Sequence, residues 1–545
     1  MDFRPLTCFK KHLVAVPDAP FLHQPLNREW QTYSFADVDL LARKFAAALQ
    51  SIGLEKGDRV AVFSKNCAEW IIADLGIMMA GMVSVPIYFS ASADTANYVL
   101  EHSGTRALVL GKLDDPTIGS RLNTENITTI GLRYFEPACD HAWESLLASV
   151  QPISEYPEVS DDDLLSIVYT SGSTGNPKGV MITFGNAQAI GVAAHSLGGY
   201  ERSYNDRVVS YLPLAHIAER GLVEFSSIAS GTQIYFVESL DTFNEDITFA
   251  RPTIFFAVPR IWLKIQQQVL SKLPPKAFNI LTRIPLLGGA LKKALRKKLG
   301  LNDAQIVISG SAPIAPDILR WYHHLGINIS EGWAMTETSC VGAINLPFNA
   351  EDIGTVGKVL SGTELKISAE GEVLIKGDCC TPGYYKNDAA TNELFDGEWL
   401  RTGDLGTLTN TGALRIIGRI KEQFKTSKGK YVSPAEIENL IAASPMIEQV
   451  CVSGSGLPQP FALIVLAEGM SASETALNEL LAATNQQLAR HEQLSHLYVL
   501  KQQWTIEDGL LTPTMKIKRS AIEATFVAKA ESAMANANSA VIFEN

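Results

Sequence analysis

An α/β architecture with a smaller second domain is what this chain of 545 residues predicts, and three observations carry the expectation. Helical and strand patterns alternate through the first half, as they do around a parallel sheet. From Gly371 to Arg419 the pattern turns to short strands broken by glycines, an antiparallel β region. After Arg419 a lysine-dense stretch, Ile420 to Lys430, reads as a boundary. The expected organisation is a large multi-layer N-terminal domain, 1–419, built of α/β subdomains and a small β region, followed by a small α+β C-terminal domain, 420–545.

Taken in order, Ser34 to Asp37 has the form of a capping box, and Leu40, Leu41, Ala46 and Leu49 behind it share one helical face. Asp58 to Phe63 is a strand. The most apolar run, Trp70 to Tyr88, is interrupted by Asp74 and two glycines, so it predicts a buried helix feeding a strand and not a membrane span. A helix at Ala96 to His102 and a strand at Ala107 to Leu110 continue the rhythm. Leu287, Leu291, Leu295 and Leu299 repeat every four residues beside Lys292, Lys293, Arg296, Lys297 and Lys298. That basic amphipathic helix is either a packed surface helix with solvated lysines or a lipid-surface contact, and the residues leave both open. Ile306 to Pro313 is a strand ending in a small-residue turn, with a helix from Ala315. Past the boundary, Ser433-Pro-Ala-Glu436 starts a helix with Ser433 as N-cap, strands follow at Val450 to Val452 and Phe461 to Leu466, and a helix at Glu474 to Gln487. Residues 528–545, rich in Ala, Ser and Asn, are expected to fray. No internal repeat is present.

Composition narrows the function. A net charge of −12 with pI near 5.4 argues against nucleic acid as a bulk partner, because that binding is driven by basic surface. An anionic ligand must then be held by local charge. Seven cysteines without metal-ligand spacing, including the adjacent Cys379 and Cys380, read as reduced thiols. Met1 to Pro5 shows no signal-peptide pattern, and a cytoplasmic enzyme is the expectation.

Anion donors concentrate in one stretch. The strand Leu165 to Thr170 runs into Ser171, Gly172, Ser173, Thr174 and Gly175 and closes on Lys178 and Gly179. Glycines let the backbone approach an anion, hydroxyls donate, and the lysine adds charge: a phosphate grip. It is not a Walker loop, since Pro177 stands in place of the second glycine and Gly179 in place of the Mg²⁺-binding hydroxyl. Gly310, Ser311 and Ala312 offer a second close approach. Glu331-Gly-Trp-Ala-Met-Thr-Glu337 combines an aromatic, a hydroxyl and a carboxylate, suited to base stacking beside a magnesium phosphate. Asp404 in a glycine turn suits ribose hydroxyls, or is a simple Asx turn.

Tyr169 to Val180, Glu331 to Thr338, Leu400 to Asp404, Gly418 to Glu422 and Leu511 to Lys516 stand in the order and spacing of the adenylate-forming (AMP-binding) superfamily, which the chain resembles from Phe9 to Arg519. Tyr211 to Arg220 and Val258 to Trp262 look most like its long-chain fatty acyl-CoA synthetase branch. The resemblance implies ATP-dependent activation of a fatty acid to an acyl-adenylate with release of pyrophosphate, then transfer to coenzyme A with release of AMP. It implies a C-terminal domain that moves about a hinge near Lys421. It places Thr170 and Glu337 at Mg²⁺, Ser171 to Lys178 around the β- and γ-phosphates, Gly310 to Pro313 and Trp333 at adenine, and Thr336 at the α-phosphate. Asp404 and Arg419 would hold ribose, His216 would lie near the acyl carboxylate, and Lys516, in preference to Lys518, would bridge carboxylate and α-phosphate. Glu331, Gly332 and Lys425 complete the implied binding positions, with Lys421.

Two departures matter. Trp333 and Ala334 stand where the family usually has Tyr and Gly, and Lys428 in Ser427 to Lys430 replaces a glycine, adding charge beside the implied coenzyme A path. The alternatives are a fatty acyl-AMP ligase loading a carrier-protein pantetheine, a luciferase-like oxygenase and a catalytically silent acyl or nucleotide sensor. The expected partners are a fatty acid, ATP and coenzyme A, without nucleic acid, and with a peripheral contact at the inner membrane surface through 287–299 left open.

Overall fold

The computed structural model describes residues 2–170, 176–196, 200, 202–467, 469–506, 508–512, 516–535 and 537–544, the side chains at 275, 276 and 279 aside. Among these residues, one seven-stranded sheet runs in the order His141–Ala142, Thr128–Gly131, Thr105–Leu110, Arg59–Phe63, Val83–Ile87, Leu164–Thr170 and Lys178–Thr183. Its pairs are parallel except the last, which is an antiparallel hairpin. The helix Ala68–Met79 is buried along its whole length and feeds Val83–Ile87, which is why that apolar run needs no membrane.

A nine-stranded sheet carries Gln233–Phe236, Arg207–Ser210, Ile254–Ala257, Ile306–Ser309 and Ile329–Trp333 as parallel neighbours, with antiparallel strands at both edges. Continuous β-branched and aromatic runs such as Ile254–Ala257 are what a strand covered on both faces requires. The antiparallel region between Thr363 and Arg419 forms a five-stranded sheet, as the glycine-punctuated pattern predicts. Beyond it, Ile447–Ser453, Phe461–Leu466, Leu497–Leu500 and Val541–Phe543 form a four-stranded sheet whose apolar clusters draw only on residues after 423.

The box at Ser34 forms as predicted: Asp37 N–H donates to Ser34 Oγ at 3.1 Å and Ser34 N–H to Asp37 Oδ2 at 2.9 Å. Of the expected face Leu40 is exposed, while Ala46 and Leu49 are buried as expected, together with Phe35, Val38, Ala42 and Phe45. Ser433 precedes the helix Pro434–Ala442 but does not cap it; its hydroxyl accepts from Gln423 Nε2 at 2.8 Å, tying the helix to the boundary segment. The tail does not fray. Arg519–Ala535 is a helix and Val541–Phe543 adds a parallel edge strand beside Leu497–Leu500, because pairing and burial of Ile522, Ala530 and Val541 outweigh a composition that looks loose in isolation.

Candidate active site

The hairpin Leu164–Thr170 and Lys178–Thr183 brings Thr170 opposite Lys178, and Thr170 Oγ1 donates to the Lys178 carbonyl at 3.4 Å. Ser171, Gly172, Ser173, Thr174 and Gly175 lie outside the described residues. Lys178 is exposed, its ammonium 4.8 Å above the ring of Tyr384, a cation on the negative face of an aromatic. The Tyr384 hydroxyl donates in turn to Glu337 Oε1 at 2.7 Å. Tyr384 therefore joins the two expected metal-binding positions, Thr170 through its hairpin partner and Glu337 directly. Burial first, and then the Glu337 charge, hold the phenolic proton in place. Sequence reading passed over Tyr384; its signal was an aromatic pair behind Gly383, in a turn whose partners are some fifty and two hundred residues away.

Glu337 sits in the turn Thr336–Thr338, which ends on Ser339 and Cys340 with φ of 50° and 64°. Two successive non-glycine residues in the left-handed region mark a strained turn. The Thr381 N–H, which donates to the Glu337 carbonyl at 2.8 Å, fixes it. Upstream, Glu331 is buried and its Oε1 accepts the Ile314 N–H at 3.3 Å, while burial raises its pKa to about 8. The carboxyl is thus used inside the protein, holding the turn that carries Gly310, Ser311 and Ala312. A Cβ on Gly310 would stand 3.2 Å from the Gly332 carbonyl, so the two implied adenine walls touch backbone to backbone.

Trp333 Nε1 donates to Asp404 Oδ2 at 2.8 Å, and Arg419 Nε pairs with Asp404 Oδ1 at 2.7 Å. Asp404 and Arg419 are also register partners in the antiparallel sheet. Burial raises the Asp404 pKa, and Arg419 and Trp333 oppose the rise. Both carboxylate oxygens have a protein partner and each keeps a lone pair for a hydroxyl.

Lys516 enters the same space from the far end of the chain. Its backbone closes a turn with Thr512, at 2.8 and 3.0 Å. The side chain is solvent-accessible yet surrounded by protein, as in a cleft; desolvation and then Arg419 lower its pKa, opposed by Asp404 and Glu422. The Lys516 charge is felt at His216 as well, whose pKa falls to about 3, first by burial and then by that lysine. His216 is neutral, with Nδ1 accepting the Ala218 N–H at 3.1 Å. Lys421 and Lys425 are exposed on the connection between the two cores, Lys425 lying 5.4 Å over the ring of Tyr431. Lys428 is exposed on the turn where Thr426 N–H meets the Lys430 carbonyl.

Behind His216 lies a buried polar network that sequence reading did not single out. Glu219 Oε1 accepts from Ser210 Oγ and from the Tyr211 N–H, both at 2.9 Å, and from Asn66 Nδ2 at 3.2 Å, while Asn66 Oδ1 accepts the Leu214 N–H at 3.1 Å. These bonds fasten the loop that presents His216. Burial raises Glu219 to about 8.

Comparison with known proteins supplies the family. The model of the AMP-binding enzyme matches residues 9–385, and that of the AMP-binding enzyme C-terminal domain matches residues 421–538. A long-chain-fatty-acid–CoA ligase of Mycobacterium tuberculosis is 29% identical, covering 94% of each chain. The peroxisomal long chain acyl-CoA synthetase 7 of Arabidopsis thaliana is 29% identical over 91% of this chain and 80% of its own. Among solved structures, the Bacillus subtilis o-succinylbenzoate CoA synthetase with its acyl-adenylate superposes with a TM-score of 0.75 at 23% identity, covering 94% of this chain and 97% of that one. The A domain of Segniliparus rugosus carboxylic acid reductase, bound to AMP and a carboxylic acid, gives 0.81 at 22%, over 98% and 94%.

Proposed function

The chain belongs to the AMP-binding enzyme family, and on that premise we propose that it is a fatty acid–CoA ligase that activates its acid with ATP. The observation that carries this reading is the convergence of Lys516, the paired Asp404 and Arg419, and His216 on one cleft from three distant parts of the chain. A carboxylate and a triphosphate repel one another, so their reaction needs charge neutralisation and alignment more than it needs a general base. Lys516 supplies a compact cation for that task. Neutral His216 adds no charge beside the acyl carboxylate; its ring orientation is set by the Ala218 N–H.

The attack joins the acid's oxygen to the α-phosphorus and releases pyrophosphate; the thiolate of coenzyme A then displaces AMP at the acyl carbon. Thr170 and Glu337 present a hydroxyl and a carboxylate, the oxygen donors Mg²⁺ prefers when it shares its shell with phosphates, and Tyr384 orients the Glu337 carboxylate toward that role. Bound there, the ion would neutralise phosphate charge. Trp333, its indole fixed by Asp404, forms a flat wall for adenine, and Asp404 with Arg419 faces the ribose. The domain division at 419/420, the hinge at Lys421 and a reducing, cytoplasmic setting for the seven free cysteines belong to the same proposal. The carrier-protein and sensor readings are not favoured, because the relatives are CoA ligases and Lys178, Glu337, Asp404 and Lys516 are all present.

The test is purified protein with ATP, Mg²⁺ and a panel of fatty acids, with and without coenzyme A. AMP and acyl-CoA are expected together. Acyl-adenylate without thioester would move the acceptor to a carrier protein, and no turnover with any acid would overturn the proposal.

A further inference from the structure

Between Pro252 and Asn302 the chain has ten lysines and arginines and no acidic residue, although the whole protein carries −12. Past Leu287 the leucine stripe of the basic helix Leu287–Lys298 is not free to bind anything, however: Leu291 and Leu295 are half-buried and Leu299 packs against the core around Trp262 and Tyr322. What is exposed is the junction before it. Ile280, Ile284, Leu286 and Leu287 are 65%, 40%, 93% and 50% accessible, four large apolar side chains within eight residues. Leu286 holds φ at 63°, an unusual conformation for a leucine, with its side chain in solvent.

The junction is held from beneath. Phe278 is buried and stacks on Trp321 at 5.2 Å, Thr282 Oγ1 meets His324 Nε2 at 2.8 Å, and Arg296 donates to the Leu325 carbonyl at 3.0 Å. Gly288 is buried so tightly that a Cβ would stand 2.3 Å from the Thr282 carbonyl. The apolar tip is therefore presented on a fixed base, with exposed Arg283 inside it and exposed Lys293, Lys297 and Lys298 along the helix that follows.

We propose that Ile280, Ile284, Leu286 and Leu287 form a wedge that enters the headgroup region of an anionic lipid bilayer, with Arg283 and the lysines of 292–298 on its phosphates. Charge complementarity selects this occupant: a basic rim is attracted by anionic lipid, whereas in a two-fold contact it would face, and be repelled by, the same basic rim of a second copy. Apolar tip plus basic rim is also the pairing that stable interfacial binding needs, since neither alone suffices. The inference rests on the fatty-acid reading only for its use, which is to draw the enzyme to where a poorly soluble acid is dissolved.

The experiment floats the full chain with phosphatidylglycerol/phosphatidylcholine vesicles and with pure phosphatidylcholine, without ATP or fatty acid. Binding to the anionic vesicles is expected at low salt and its loss at high salt. Leu286→Asp with Leu287→Asp, and separately Lys292→Glu with Lys293→Glu, should each lower the partition coefficient by about tenfold or more, since each basic residue near an anionic surface counts for roughly a fivefold effect. Unfolding temperature and pyrophosphate exchange on detergent-dispersed acid should not change. Wild-type protein that stays off the vesicles, variants that bind as well as it does, or a concentration-dependent dimer abolished by the variants would each overturn the proposal. An enzyme that binds vesicles but turns over no acid would sink the functional reading instead.

Discussion

Arg220 and Lys516 carry the same charge in opposite surroundings. Arg220, four residues past His216, lies in a π-helical turn, Arg220–Phe225, with no accessible surface. It pairs with Asp74 at 2.9 Å and lies 3.7 Å from Glu224, between the rings of Trp70 and Phe225. Burial, and then the Asp74 charge, push the Glu224 proton on, so one cation faces one anion and the cluster is closed. Lys516 meets Asp404 and Glu422 but also Arg419, in a cleft still open to solvent. The first arrangement has no charge left over for a ligand. The second holds cations close together, which favours an anion arriving between them.

The comparison makes separable predictions. Arg220→Ala strands Asp74 in the interior and should cost about 3–5 kcal/mol of unfolding free energy, read by chemical denaturation. A loss below 1 kcal/mol would show that the cluster relaxes with water. Lys516→Ala should leave stability within about 0.5 kcal/mol, because its side chain is solvent-accessible. It should cut carboxylate-dependent pyrophosphate exchange by about a hundredfold or more, as loss of a transition-state donor does, and spare thioester formation from supplied acyl-adenylate. Exchange at the wild-type rate would remove Lys516 from its role. Tyr384→Phe loses only the hydroxyl on Glu337, and the Mg²⁺ concentration for half-maximal exchange should rise about tenfold, the usual scale for a group orienting a metal-binding carboxylate. Glu331→Gln is the mildest. The raised pKa means that the folded state keeps a proton which the unfolded chain releases, so stability falls as pH rises from about 4.5 to about 8. The amide should flatten that fall in a pH series of melts, with little change in exchange at neutral pH.

Much of this site was legible in the sequence because its parts are local. The loop before Lys178, the Glu331–Glu337 segment and the Asp404 turn each carry their chemistry within about ten residues, where backbone freedom, hydroxyls and charge can be read directly. Tyr384 was missed because its two partners belong to other strands, and Glu331 was read as a ligand group because burial of its carboxyl on Ile314 is invisible in a linear string. The tail misled for a related reason. Its composition favours fraying, and only the vacant edge beside Leu497–Leu500 gives Val541–Phe543 something to pair with.

The basic helix shows the division most plainly. Leucines every four residues determine that a helix with one apolar face exists over 287–298. They do not determine what that face meets, since core and lipid attract it equally. The tertiary structure decided: Leu291, Leu295 and Leu299 turn inward, while Leu287 and the junction before it are left outside. In the same way the sequence by itself determined that Lys516 could serve as a mobile cation. Only the docking of the second core against the first set it beside Asp404 and His216, because electrostatic interaction depends on distance through space and not along the chain.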